Sequence, residues 1–215
     1  MENVGMVCMS DSKLLSNAET HSDVKNLLNR KVTVHEIAHM WFGNLVTMKW
    51  WNDLWLKESF ADFCALSCLQ HFEKNDPDYE YSDSKLISIG FLETGLEADL
   101  KVSTHPIQVP VRHTGEGMMV FDRISYAKGA CWIKTMANLI GFDTVKDAIR
   151  MYFKQYQWQN TQLEDLVSCL EHAVVSNKVK LKMNFREWTE SWLLKKGAST
   201  LELSLNEDRT TFDIK

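Results

Sequence analysis

The residues best suited to do chemistry in this sequence are His35-Glu36-Ile37-Ala38-His39 and, eighteen residues after His39, Glu58. On a helix, positions four apart lie about 40° apart around the axis and about 6 Å along it, so both imidazoles can address one point from a single face. That arrangement suits two ligands of one zinc ion with Glu36 beside them. The plainer alternative is a pair of hydrogen-bonded histidines on a core helix. A catalytic zinc takes three protein ligands and leaves a fourth position open. Glu58 is the candidate third ligand. It stands in Leu54-Trp55-Leu56-Lys57-Glu58-Ser59-Phe60-Ala61, an apolar run in which an unpaired carboxylate is costly to bury and a metal partner removes the cost.

These side chains require two helices that meet. From Asp23 to about Val46 the apolar positions grow denser toward the C-terminal end, as in a helix entering a core, with Gly43-Asn44 as its fraying point. A second helix is expected from Asn52 or Asp53, either a suitable N-cap, to His71. The loop of Thr47 to Trp51 lets the two run as antiparallel neighbours, and a polar loop with Pro77 follows. Further helices are expected at about 84–100, 121–140, 143–157, 161–175 and 184–196, with Thr104 to Gly117 as an irregular connection. Residues 4–9 read as one strand. After Gly197, Leu201, Leu203 and Leu205 alternate with polar residues, Asn206-Glu207-Asp208 can turn, and Phe212 and Ile214 alternate again, the pattern of a β-hairpin.

Composition sets the class. The chain has 215 residues, 45% apolar and 25% charged, the balance of a globular protein with a real core. Nine Gly and three Pro leave few positions for turns, so the fold is expected to be mainly α, of α+β type. A net charge of −5 argues against nucleic acid as a partner. The cysteines at 8, 64, 68, 131 and 169 are widely spread, which suits free thiols in a reducing compartment and predicts a cytoplasmic chain. No apolar run reaches the roughly 20 residues of a membrane span. Trp41, Trp50, Trp51 and Trp55 fall between His39 and Glu58 and are expected to pack the two ligand helices together as a wall of the metal site.

The motifs have a recognisable relative. His35-Glu36-x-x-His39 followed by Glu58 resembles the gluzincin metallopeptidases. His39-Met40-Trp41-Phe42-Gly43-Asn44-Leu45-Val46-Thr47 and Trp51-Asn52-Asp53-Leu54-Trp55-Leu56 narrow the resemblance to the aminopeptidase N-type family. Met1-Glu2-Asn3 matches the end of that family's Gly-x-Met-Glu-Asn motif, and Phe121-Asp122-Arg123-Ile124-Ser125-Tyr126-Ala127-Lys128-Gly129-Ala130 is similar to the segment holding its catalytic tyrosine.

The resemblance implies a thermolysin-like zinc aminopeptidase domain over 1–197 and the start of a β-sandwich domain over 198–215. It implies one Zn2+ per chain on His35, His39 and Glu58, Glu36 as general base, and Tyr126 as donor to the oxyanion. Glu2, flanked by Met1 and Asn3 in the substrate-binding motif, would hold the α-ammonium of a peptide with a free N-terminus. Without the resemblance, Tyr126 reads as a core tyrosine and Glu2 as a surface acid. The chain differs from the family at Lys57, where Asn is common, at Ser59, where Gly is common, and at Ala65, where many members carry a carboxylate. Asp62, one turn after Glu58, is expected to orient a ligating imidazole. Members place a β-rich domain before the catalytic one, so the sequence reads as a fragment lacking part of the N-terminal sheet. Two other functions fit: a catalytically silent zinc- or partner-binding module, and the family's epoxide hydrolase activity.

Overall fold

A computed structural model describes residues 1–15, 22–75, 84–199, 202–205 and 212–214. The Pro77 loop and the Asn206–Asp208 turn lie outside the described residues. Among those described the fold is mainly helical, and its centre is a pair of helices, α2 (Asp23–Ala38) and α3 (Leu54–Asn75), after a single turn α1 (Asp11–Leu14). Ser22 caps α2, its Oγ accepting from Lys25 N at 3.2 Å. Leu27 of α2 and Leu69 of α3 are buried against one another. Helix α3 is buried on most of its circumference because it runs through the core: Trp55 meets Trp132 edge-on with ring centroids 5.6 Å apart.

Helices α4 (Ser84–Asp99) and α6 (Gly129–Ile140) flank α3, and α5 (Thr114–Gly117) is one turn within the irregular 104–117 connection. A π-helical turn, Ile124–Lys128, leads into α6. This turn is packed without clearance. A Cβ on Gly95 of α4 would fall 2.4 Å from Lys128 N, and one on Gly129 would fall 1.9 Å from Ser59 Oγ. Ser59 also donates to the Ser125 carbonyl at 2.6 Å, tying the turn to α3 one residue beyond Glu58. The neighbouring Lys128–Asp99 ion pair is buried at 2.9 Å, and Asp99 Oδ1 accepts from Thr104 Oγ1 and Gly197 N.

Helices α7 (Phe142–Tyr156), α8 (Leu163–Ser176) and α9 (Phe185–Leu193) complete the core through Val145, Ala148, Leu166, Leu170 and Leu193. Between them β2 (Gln159–Thr161) pairs in parallel with β1 (Val46–Met48), Val46 opposite Gln159. The C-terminal strands β3 (Leu203–Leu205) and β4 (Phe212–Ile214) pair antiparallel, Leu203 opposite Ile214, as the alternation predicts.

Four expectations are corrected. Residues 4–9 form no strand; Met1 and Cys8 pair across a turn in which Met6 N bonds to Asn3 O. Helix α2 stops at Ala38 rather than near Val46, because the next residues fold back to bond with His39 and then enter β1. The 121–140 helix begins as the π-helical turn, and Phe121 lies outside it. The tryptophans do not form one wall: Trp55 is buried, whereas Trp41 and Trp50 are exposed. Trp41 instead lines an apolar groove between α2, α3 and α7.

Candidate functional site

The last turn of α2 and the first turns of α3 bring three donor atoms together. His35 Nε2 and His39 Nε2 are 3.0 Å apart, and Glu58 Oε2 lies 3.3 Å from each. Donors arranged tetrahedrally about a zinc ion, with bonds of about 2.0–2.2 Å, are about 3.3–3.6 Å from one another. The donor set is therefore close to the size of a zinc site, and slightly tighter. All three residues are buried.

The outer nitrogens strengthen this fit. His35 Nδ1 donates to Asp62 Oδ1 at 2.9 Å, and His39 Nδ1 donates to the Phe42 carbonyl at 2.9 Å. Both partners only accept, so the neutral tautomers carry their protons on Nδ1 and point both Nε2 lone pairs at the Glu58 carboxylate. Such convergence demands a cation. Burial alone would lower the His35 pKa, but its hydrogen bonds to Asp62 and Glu58 outweigh that and raise it to about 9. Desolvation likewise opposes ionisation of Glu58, and the two histidines and Lys57 overcome it, holding the carboxyl below its ordinary range.

The turn after α2 is built for this geometry. Gly43 has φ +125°, in the region favouring glycine, and a Cβ there would approach Lys57 Cδ at 3.2 Å and His39 Nδ1 at 3.6 Å. Lys31, one helical turn before His35, binds the same Asp62 oxygen, so that carboxylate is held from both sides. The Asp62 expectation thus corresponds to a direct contact with His35.

Around the trio stand the other expected residues. Glu36 Oε2 lies 3.0 Å from the Met1 ammonium. Glu2 has an oxygen close to Glu36 and His39, with donor atoms of the three within 4.8 Å of one another, and its carbonyl accepts from Asn44 Nδ2 at 2.7 Å. Lys57 binds the Glu2 carboxylate and also lies 3.2 Å from Glu58 Oε1. Against the cost of burial, Lys57 keeps the Glu2 pKa below its ordinary value. Asn3 is exposed and its amide is directed to Cys8 Sγ, away from the trio. The Tyr126 ring stacks on His35, centroids 6.0 Å apart and planes 15° from parallel. Burial and the Glu58 carboxylate push the Tyr126 phenol upward, so it remains a donor at neutral pH.

Sequence reasoning missed Lys31 and the Phe42 carbonyl. The first had a signal, since Lys31 and His35 are four apart on one helix; a carbonyl leaves none.

A buried two-His, one-Glu centre with a neighbouring glutamate and tyrosine is the arrangement of a metal-dependent hydrolase. The chain belongs to peptidase family M1, whose domain it matches over residues 1–192. It is 37% identical over 174 residues to endoplasmic reticulum aminopeptidase 1 of Mus musculus, an alignment covering 80% of this chain and 18% of that protein. It is 35% identical over 213 residues to tricorn protease-interacting factor F2 of Thermoplasma volcanium (97% of this chain, 25% of that one). To aminopeptidase N of Streptomyces lividans it is 32% identical over 209 residues (97% and 23%). The chain thus spans about a fifth to a quarter of the length of these relatives.

Proposed function

We propose that this chain carries the centre of a zinc aminopeptidase that hydrolyses the N-terminal peptide bond of peptides. The observation that carries the reading is the convergence of His35, His39 and Glu58 donors at 3.0–3.3 Å beside Glu36, Glu2 and Tyr126. Residues 1–197 are read as a thermolysin-like catalytic domain and 198–215 as the start of a β-domain. The free thiols suit a cytoplasmic setting. Among the described residues no helix is long and apolar enough to cross a membrane.

Zinc on His35, His39 and Glu58 would supply a Lewis acid and a water ionising near neutral pH. Glu36 takes the proton of the attacking water and delivers it to the leaving amine. Tyr126 donates to the carbonyl oxygen as it becomes negative, a contact worth about 3–4 kcal/mol in comparable sites. Glu2 accepts the substrate's α-ammonium, which restricts cleavage to the chain end. Asp62 and the Phe42 carbonyl keep both imidazoles in the ligating tautomer.

A second reading, a zinc-binding chain without turnover, draws on the Lys57–Glu2 pair, which already neutralises the ammonium anchor. The two are separated by comparing a peptide with its N-acetyl form on the zinc-loaded chain. Release of the first residue from the free peptide alone supports the aminopeptidase; cleavage of neither supports the silent chain.

A further inference from the structure

A cleft of about 430 Å³ opens beside the trio, and its lining includes His35 and Tyr126 but not Glu2. Glu2 lies on the His39 side of the trio, with Lys57 and Glu36, whereas the cleft is walled by His35, Glu36, Tyr126, Lys31, Phe121 and Arg123. A peptide whose ammonium rests on Glu2 and whose first carbonyl faces Tyr126 therefore runs its remaining residues into this cleft.

The charges in the cleft are unequal. Lys31 is committed, its ammonium on Asp62 and 3.7 Å from the Phe91 ring centroid. Asp122 is committed too: Oδ1 accepts from Ile124 N and Ser125 N, and Oδ2 lies 2.8 Å from His105 Nε2. Arg123 is exposed, and among the described residues no carboxylate pairs with it. It precedes Tyr126 by three positions, which sets its backbone about 5 Å farther along the turn. An extended peptide advances about 3.3–3.6 Å per residue, so Arg123 falls beside the second or third residue of the substrate. A guanidinium there matches a carboxylate in planar, two-point fashion.

We infer that Arg123 is a specificity-determining residue that binds a carboxylate on the leaving part of the peptide. The substrate class is then short peptides whose C-terminal carboxylate falls at the third residue, or longer ones with an acidic side chain there. The inference rests on the aminopeptidase reading above.

The test compares the zinc-loaded chain on X-Gly-Gly and its C-terminal amide, X being the residue best released from an aminoacyl arylamide. A parallel pair sets X-Gly-Asp-Gly amide against X-Gly-Asn-Gly amide. The charged member of at least one pair should have the higher kcat/KM by about three- to tenfold, the advantage shrinking with added salt. The first pair reports a terminal carboxylate and the second a side chain. In Arg123→Gln the ratio should fall to about one, and Arg123→Lys should retain part of it. Partial unfolding lowers both rates and leaves the ratio in place. A parent that cleaves the arylamide but treats charged and uncharged members alike overturns this inference only. A parent that cleaves no arylamide overturns the aminopeptidase reading and this one with it.

Discussion

Replacing Asp62 by Asn keeps the volume of a buried side chain and removes the charge that holds His35 Nδ1 at 2.9 Å. Two effects on zinc affinity then oppose each other. Loss of the carboxylate leaves the ring orientation and its basicity less supported, which costs about 10- to 100-fold in affinity, or about 1–3 kcal/mol. Against this, the parent's metal-free His35 titrates at about 9, so at pH 7 zinc competes with a proton, a penalty of roughly a hundredfold. Much of that penalty depends on Asp62, so it shrinks in the variant. The predicted result is a variant close to the parent at pH 7 and about 10- to 100-fold weaker at pH 9.5, where neither competes with a proton. Competition against a chromogenic chelator in non-coordinating buffers measures both. Equal affinities at pH 9.5 would refute the role of Asp62 in holding the ligand.

Other perturbations follow from the same contacts. Lys57→Gln releases Glu2, and the KM for an aminoacyl arylamide should fall about fivefold at low salt; an unchanged KM would mean that the Lys57–Glu2 pair does not compete with substrate. Asp99→Ala strands the buried Lys128 ammonium and should lower stability by about 3–5 kcal/mol in urea unfolding, with Asp99→Ala/Lys128→Met recovering much of it. The Asp122 hydrogen bond raises the His105 pKa above its ordinary 6.5. Its stabilisation is therefore complete below pH 6.5 and fades as pH rises through the raised folded value. Melting temperatures across that range should show this decline in the parent and lose it in His105→Gln.

The convergence of His35, His39 and Glu58 was readable because its determinants are local or nearly so: His35 and His39 share a helix face, and Glu58 is a carboxylate in an apolar run that needs a partner. The helical segments followed from apolar periodicity, with most ends shifted by a few residues and the end of α2 by eight. What escaped depends on contacts distant in sequence. Strands β1 and β2 are three residues each and pair across 112 intervening positions, so neither has a pattern of its own. The stop of α2 at Ala38 is set by the Phe42 carbonyl meeting His39, a bond between backbone and ring that composition does not encode. Ser59, a departure from the family pattern, acquires its use only when Ser125 arrives from 66 residues away. Four tryptophans in one short stretch suggested a common wall, yet burial separated them, because Trp55 faces α6 and Trp41 a groove open to solvent.

The central claim is that His35, His39 and Glu58 hold one zinc ion at which Glu36 does proton chemistry. Titrating the metal-free chain with zinc while following both bound metal and arylamide release tests it most directly, with Glu36→Gln in parallel. The account predicts that turnover rises in proportion to zinc and levels at one equivalent, and that Glu36→Gln binds the same equivalent while turnover is lost. One bound zinc without turnover in the parent, or turnover undiminished in Glu36→Gln, would contradict it.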